Sequence, residues 1–385
     1  MHHGLRRRPL LHDLDQENLD ALLITHPVNV SYLTGFSGDS SYLIVAKNRT
    51  ILVSDGRFTT QLAQECPDLE TEIRPPAQAV VEAAAGVLNK AGLRRLGFEN
   101  GHITVAVAEK LRELAPAVSW KGAADRVERL RAIKDADEIR QIRLAIELAQ
   151  RAFAMFRAML RPQDTEKELA DSLEMFVRRV GAAGTSFPPI VAVGERSALP
   201  HAPPSAKRVQ EASLLLVDWG ASGPFTAGCV GENGPSPTAT NPSAPYKSDL
   251  TRVLLTRNNG RYDPKLNEVY EVVQRAQDSA IRTLRPGIAA KVVDEAARTV
   301  IAQAGYGEFF THGLGHGIGL EIHEAPFFKA GNETILQPGM VVTIEPGIYL
   351  PGWGGVRIED DVLVTADGCE VLTSLRRELE ANICE

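Results

Sequence analysis

Cysteine is scarce in this sequence: Cys66, Cys229, Cys369 and Cys384 are scattered through 385 positions without CxxC spacing. That excludes a cysteine zinc cluster and a disulfide framework, and it reads as the reduced thiols of a cytoplasmic protein. No stretch approaches the roughly 18 apolar residues needed to span a bilayer, so no membrane partner is expected. The N-terminus, MHHGLRRRPLLHDLDQ, carries Arg6 to Arg8 but no apolar segment of a secretory signal. Basic charge is also short. The net charge of −7 leaves no basic stripe for nucleic acid. What remains is ordinary globular composition, 44% hydrophobic and 24% charged. A chain of 385 residues exceeds one average domain, so two are expected.

Residues 20 to 54 alternate apolar runs (DALLI, SYLIVA, TILVS) with turn residues (HPVN, GFSGDS, KNR), as short strands of an α/β unit do. Helical patterns follow at 59–66, 78–91 and 104–114, with the strand-like RRLGFE before the last. The pattern predicts an α/β domain over 1–125. A long amphipathic pattern, from RVERL to AMFRAML, opens the second domain, 126–385.

That second domain contains a repeat. Leu160-Arg161-Pro162 opens one copy and Leu284-Arg285-Pro286 the other. Each is helix, Pro-marked turn and amphipathic helix, ending at a glycine, Gly181 or Gly305. A period of about 124 residues is too long for a solenoid and predicts a duplicated half-domain with pseudo-twofold symmetry. Such a fold places a site where strands of both halves converge.

Five residues of metal-ligand type stand in apolar or Gly-rich strand contexts: Asp218 (VDWGA), Asp249 (SDLTR), His316 (GLGHGIG), Glu345 (TIEPGIY) and Glu359 (GVRIEDD). Taken singly, each has a plain explanation as a strand terminator, a turn cap or an edge charge. Jointly they do not, because charge on a buried strand is costly unless paired or coordinated. Four carboxylates and an imidazole suit a pair of divalent cations that activate water, which makes hydrolysis the leading chemistry. Arg357 precedes Glu359 by two residues on the same expected face and could orient the carboxylates. HGLGHGIGLEIHEAP adds His312 and His323, and its four glycines are expected to let the backbone approach a bound group. The GxGxGxG spacing is not a dinucleotide loop, and His323-Glu324 lacks the second histidine of a zinc helix, so no organic cofactor is expected. His201 lies in the Pro-fixed loop SALPHAPPS. Between Asp218 and Asp249 lies a Gly, Pro, Ser and Asn-rich stretch, expected to be an exposed hairpin extension or flap.

Taken in order, VDWGA, SDLTR, SALPHAPPS, HGLGHGIGLEIHE, TIEPGIY and GVRIED resemble the pita-bread metallopeptidases, specifically the Xaa-Pro branch of prolidases and aminopeptidase P. The resemblance covers nearly the whole chain. It implies a creatinase-like α/β N-terminal domain and an α+β pita-bread catalytic domain with an internal pseudo-twofold repeat. It makes Asp218 a terminal ligand of one metal and Asp249 and Glu359 bridges between two metals, with His316 and Glu345 completing the second. It makes His201 and His323 stabilisers of the oxyanion, Glu345 a proton shuttle, and His201, His312, His323 and Arg357 substrate-side residues. Manganese, cobalt or zinc would suit the donor set, manganese best. A homodimer is the family habit. The sequence departs from the family at one point: thirty residues separate Asp218 from Asp249, where the family uses a far shorter link. The substrate expected is a proline-containing peptide. An aminopeptidase is favoured over a dipeptidase, because the stretch PGWGG before Val356 offers Trp353 and no arginine to fix a free carboxylate. A ligand-deficient binding protein of the same fold is the alternative from another class.

Overall fold

The computed structural model describes residues 3–224, 245–256, 263–379 and 383–384. The chain divides into two compact units, the first running through Arg131 and the second starting at Ala132. The expected hairpin extension falls on 225–244, outside the described residues.

The first unit is built on a six-stranded sheet in the order Glu70–Arg74, Arg49–Asp55, Tyr42–Ala46, Ala21–Ile24, Arg95–Phe98, Ser119–Gly122. Its central strand, Ala21–Ile24, is buried at every position, which is why ALLI reads as unbroken apolar sequence and not as alternation. The outer strands ETEIR and SWKG are largely exposed and polar, and local pattern did not distinguish them from loop. The three expected helices form over Thr59–Glu65, Val80–Lys90 and Val105–Leu114. Two further helices, His3–Gln16 and Pro27–Thr34, were not anticipated. HPVN reads as a turn, yet Pro27 occupies the first helical turn, where its missing N–H costs nothing, and Gly35 at φ 84° ends the helix.

The long amphipathic pattern is two helices, Arg126–Ala132 and Ala136–Met159. The break has a local cause. Asp135 accepts the Glu138 N–H at 2.9 Å, and Glu138 accepts the Asp135 N–H at 2.9 Å, a reciprocal cap that starts a new helix.

The repeat is visible in the structure. Ala136–Met159 and Pro264–Thr283 are each followed by the Leu-Arg-Pro turn and then by a 14-residue helix, Glu166–Arg179 or Ala290–Gln303. Gly181 and Gly305 follow at φ 105° and 86°, the left-handed conformation that closes a helix. Each helix pair packs on its own sheet. The first contains Ile190–Val193, Leu214–Trp219 and Leu250–Thr256; the second contains Glu324–Phe328, Gly315–Gly317, Val341–Ile344, Asp360–Val364 and Cys369–Val371. Phe153, Phe156, Leu173 and Phe176 cover the first against Leu215, Val217 and Leu254, and Phe153 stacks on Trp219 at 4.1 Å. Each such side chain contributes about 1.5–3 kcal/mol on burial. A bridge from Thr251 to Glu359 joins the two sheets beside the residues singled out from the sequence.

Candidate active site

The strands Leu214–Trp219 and Leu250–Thr256 run antiparallel, with Thr251 opposite Asp218, as expected for two carboxylates sharing one cavity. His316 lies in the short strand Gly315–Gly317. Asp249, Glu345 and Glu359 sit at strand ends, just before Leu250, just after Ile344 and just before Asp360. There the backbone is leaving the ladder and the side chain can turn inward. The glycines flanking His316 let neighbouring strands pack close. A Cβ on Gly315 would lie 2.1 Å from the Thr343 carbonyl oxygen, and one on Gly317 would lie 2.2 Å from that of Ala325. The close approach is to neighbouring strands, which press the His316 strand into place from both sides.

All nine sequence-selected residues line one cleft of about 790 Å³: Asp218, Asp249, His316, Glu345 and Glu359 with His201, His312, His323 and Arg357. That volume is in the range of small-ligand sites. His201 is carried there by a loop tied to Glu166, whose fully buried carboxylate accepts from Val193 N at 2.8 Å, Arg196 Nε at 2.8 Å and Ser205 N at 2.8 Å. The three bonds straddle His201 and fix the loop without a helix.

The electrostatics are those of negative charge short of a partner. Burial pushes the carboxyls of Asp218, Asp249 and Glu359 above their usual range. For Asp249 and Glu359 the surrounding carboxylates push the same way. Asp218 Oδ1 and Glu359 Oε1 are buried with no hydrogen-bond donor. Burial would raise Glu345 too, but His316, 3.3 Å away, outweighs it and holds Glu345 down to about 2. His316 is correspondingly raised, its own burial overcome by the bond and charge of Glu345. Its Nδ1 lies 3.0 Å from the Gly317 carbonyl oxygen, which can only accept. The Nδ1 proton is therefore committed there, and Nε2 faces Asp249 and Glu345. An imidazole oriented by a backbone carbonyl is the usual way proteins present a metal ligand. Asp249, His316 and Glu359 bring ligand atoms within 4.8 Å of one another. Orphaned carboxylate oxygens, mutual repulsion and a preset imidazole together fit divalent cations.

The chain matches the model of metallopeptidase family M24 over 140–229 and 243–366, and that of the creatinase/prolidase N-terminal domain over 6–133. It belongs to family M24. An Xaa-Pro dipeptidase of Pyrococcus furiosus is 35% identical over 97% of this chain and 99% of its own length. Among solved structures, an Xaa-Pro dipeptidase from Bacillus anthracis superposes with TM-score 0.88 at 33% identity, covering 99% of both chains. An X-Pro aminopeptidase from Thermotoga maritima superposes with TM-score 0.80 at 34% identity, covering 94% of this chain and 97% of that one. The creatinase-type N-terminal and M24 catalytic matches are thus those expected from the sequence motifs.

Several residues of this M24 site escaped the sequence reading. Tyr349 Oη lies 2.8 Å from His312 Nε2 and accepts from Arg357 Nη1 at 2.8 Å. His312 Nδ1 lies 2.7 Å from the Gly313 carbonyl oxygen, so Nδ1 carries the proton and Nε2 accepts from Tyr349. Burial keeps His312 below its ordinary value and burial raises Tyr349 to about 12, so both are neutral at physiological pH. Arg357 extends this chain to Asp218 Oδ2 and Thr251 Oγ1. A tyrosine in GIYL passes for core, so no local signal marked it. IEDD likewise resembles a surface acidic run, yet each residue has its own task. Glu359 accepts from Thr251 Oγ1 at 2.7 Å, Asp360 pairs with the fully buried Arg252 at 2.7 Å, and Asp361 Oδ2 accepts the Asp249 N–H at 3.1 Å. No helix of the described residues is long and apolar enough to cross a membrane.

Proposed function

We propose that this chain hydrolyses the peptide bond preceding proline, releasing the N-terminal residue of Xaa-Pro peptides. The observation that carries this is the convergence of four carboxylates and His316 at the floor of a cleft walled by His201, His312 and His323. Asp218, Asp249, His316, Glu345 and Glu359 would hold two divalent cations, with manganese favoured by the oxygen-rich donor set and cobalt or zinc tolerated. Bound there, such cations supply a polarised carbonyl and a water acidic enough to be deprotonated near neutral pH.

The chain's own residues supply the rest. Glu345, ionised at neutral pH, takes a proton at a carboxylate oxygen and returns it to the prolyl nitrogen as that nitrogen leaves. His201 and His323 both line the cleft and donate to the oxygen on which negative charge develops. Burial lowers His323, so it acts as a neutral donor. Arg357 fixes Asp218 from behind and, through Tyr349, orients His312, whose ring then presents carbon edges to the substrate.

The test is turnover by manganese-loaded protein of Ala-Pro-Ala and Ala-Pro against Ala-Ala-Ala and Ala-Ala. Proline-dependent release of alanine is expected. Inertness after reconstitution with manganese, cobalt and zinc would instead favour a binding protein.

A further inference from the structure

A dipeptide and a longer peptide differ at one place next to the scissile bond: the dipeptide's proline carries a free carboxylate. A site selective for dipeptides needs a cation there. PGWGG, where the sequence offers none, is not at the cleft wall. Trp353 donates from Nε1 to Asp263 at 2.6 Å, faces Lys265, and does not line the cleft. The absence of arginine at that position therefore says nothing about the substrate's C-terminus.

Among the described residues, two cations besides histidines line the cleft, Arg357 and Lys329. Arg357 is fully engaged, donating to Asp218, Tyr349 and Thr251. Lys329 pairs with no carboxylate among the described residues, and its ammonium lies 5.9 Å from the centre of the Phe327 ring. The strand register places it well. His316 is opposite Phe327 and Gly315 opposite Phe328, and Phe328 packs in the core while also bordering the cleft. Phe327, opposite His316, and Lys329, in the bend just past the strand's end at Phe328, both line the cleft with His316. A side chain on Gly313 would meet the Lys329 Cβ at 3.4 Å, so the lysine emerges beside the segment carrying His312.

The distances close. Lys329 follows Phe327 by two residues, so its Cα lies at most about 7 Å from the position opposite His316. A lysine stem spans on the order of 6 Å and is free to swing back over its own strand. The carboxylate carbon of a dipeptide lies about 4 Å from its scissile carbonyl carbon. With that carbonyl at the carboxylate floor, the free carboxylate falls within reach of Lys329 and away from the repulsive floor. Phe327, 43% exposed, offers an apolar face for the pyrrolidine between them.

We propose that Lys329 binds the free carboxylate of the substrate's C-terminal proline, making this chain selective for Xaa-Pro dipeptides. The proposal rests on the Xaa-Pro reading above. Its test compares Ala-Pro, Ala-Pro-amide and Ala-Pro-Ala with the manganese-loaded wild type, K329M and K329R. Wild type should prefer Ala-Pro to its amide by about tenfold or more in kcat/KM, mostly through KM, as a charge-assisted contact would give. K329M should bring that ratio close to one, and K329R should restore it. Equal turnover of Ala-Pro and its amide by wild type would overturn the proposal, as would a K329M ratio equal to wild type. Cleavage of Ala-Pro-Ala in either case would leave the Xaa-Pro reading standing. No cleavage of any of the three peptides would remove both.

Discussion

Two clusters in this molecule gather metal-ligand residues at nearly the same spacing. Asp249, His316 and Glu359 do so in the second unit; His26, His102 and Glu128 do so in the first, again with ligand atoms within 4.8 Å of one another. They differ in whether their charges are already answered. In the first unit Glu128 Oε1 accepts from Asn29 at 2.5 Å and faces His102 Nε2 at 2.9 Å. The neighbouring Glu99 accepts from Thr25 N, His26 N and Asn29 Nδ2 at 2.6, 2.8 and 2.6 Å. Asn29 in turn accepts from Arg131 at 2.8 Å. Burial would raise Glu128, but Asn29, His102 and Arg131 bring it below its ordinary value. The imidazoles of His26 and His102 stack at 3.9 Å with planes only 15° apart. Ring lone pairs lie in the ring plane, so near-parallel planes do not converge on one ion. In the second unit the carboxyls of Asp249 and Glu359 are raised, Asp218 Oδ1, Glu359 Oε1 and Asp361 Oδ1 lack donors, and His316 meets His323 edge-on at 83°. Proximity is common to both clusters; uncompensated buried charge belongs to one, and that is what calls for a cation.

The sharpest way to break this contrast is to remove one charge from each cluster. D249N should lower Ala-Pro turnover by about a thousandfold or more, beyond the ten- to hundredfold typical of residues that only support a ligand. Far-UV circular dichroism should remain that of the wild type, because the amide keeps the shape of the carboxylate. Bound manganese, measured by elemental analysis, should fall in D249N and hold steady in the double variant H26A/H102A. Loss of metal from the double variant with retention in D249N would reverse the assignment.

The next effect is on stability. Asn29 is fully buried and bonds both Glu99 and Glu128. N29A strips a donor from two carboxylates at once and should destabilise the first unit by about 2–3 kcal/mol, the cost of leaving buried charged acceptors short of a partner. Urea denaturation checks this. A change below about 0.5 kcal/mol would mean that solvent already satisfies the cluster.

Much of the fold and the site was legible beforehand, and the reasons are particular. Asp218, Asp249, Glu345 and Glu359 stood out because carboxylates interrupt apolar strands, and the repeat stood out because Leu-Arg-Pro recurs ahead of two amphipathic helices. What stayed hidden depended on pairing between distant segments. The Thr251–Glu359 bridge, the Asp361 contact with Asp249 and the relay through Tyr349 join residues about ten to over a hundred positions apart, and nothing in local periodicity encodes them. Lys329 was invisible for the opposite reason. An exposed lysine is unremarkable until the fold shows that it lines the cleft.

The smallest effect separates a paired exposed charge from both clusters. Asp20 accepts from Arg95 Nη2 at 2.6 Å and from the Arg94 and Arg95 N–H groups at 2.9 Å, and the Arg95 bond, against burial, holds it down to about 2. An unfolded aspartate titrates near 4. A carboxyl depressed on folding stabilises the native state above its unfolded pKa, and that contribution fades as pH falls from about 4 through about 2. Solvent screening at this partly exposed position limits it to less than about 1 kcal/mol. Compared with wild type, D20N should therefore be slightly less stable at pH 7, with the gap closing as pH drops from about 4 toward 2. A gap that instead persisted unchanged at pH 2 would show that Asp20 acts through its shape and neutral hydrogen bonds, not through its charge.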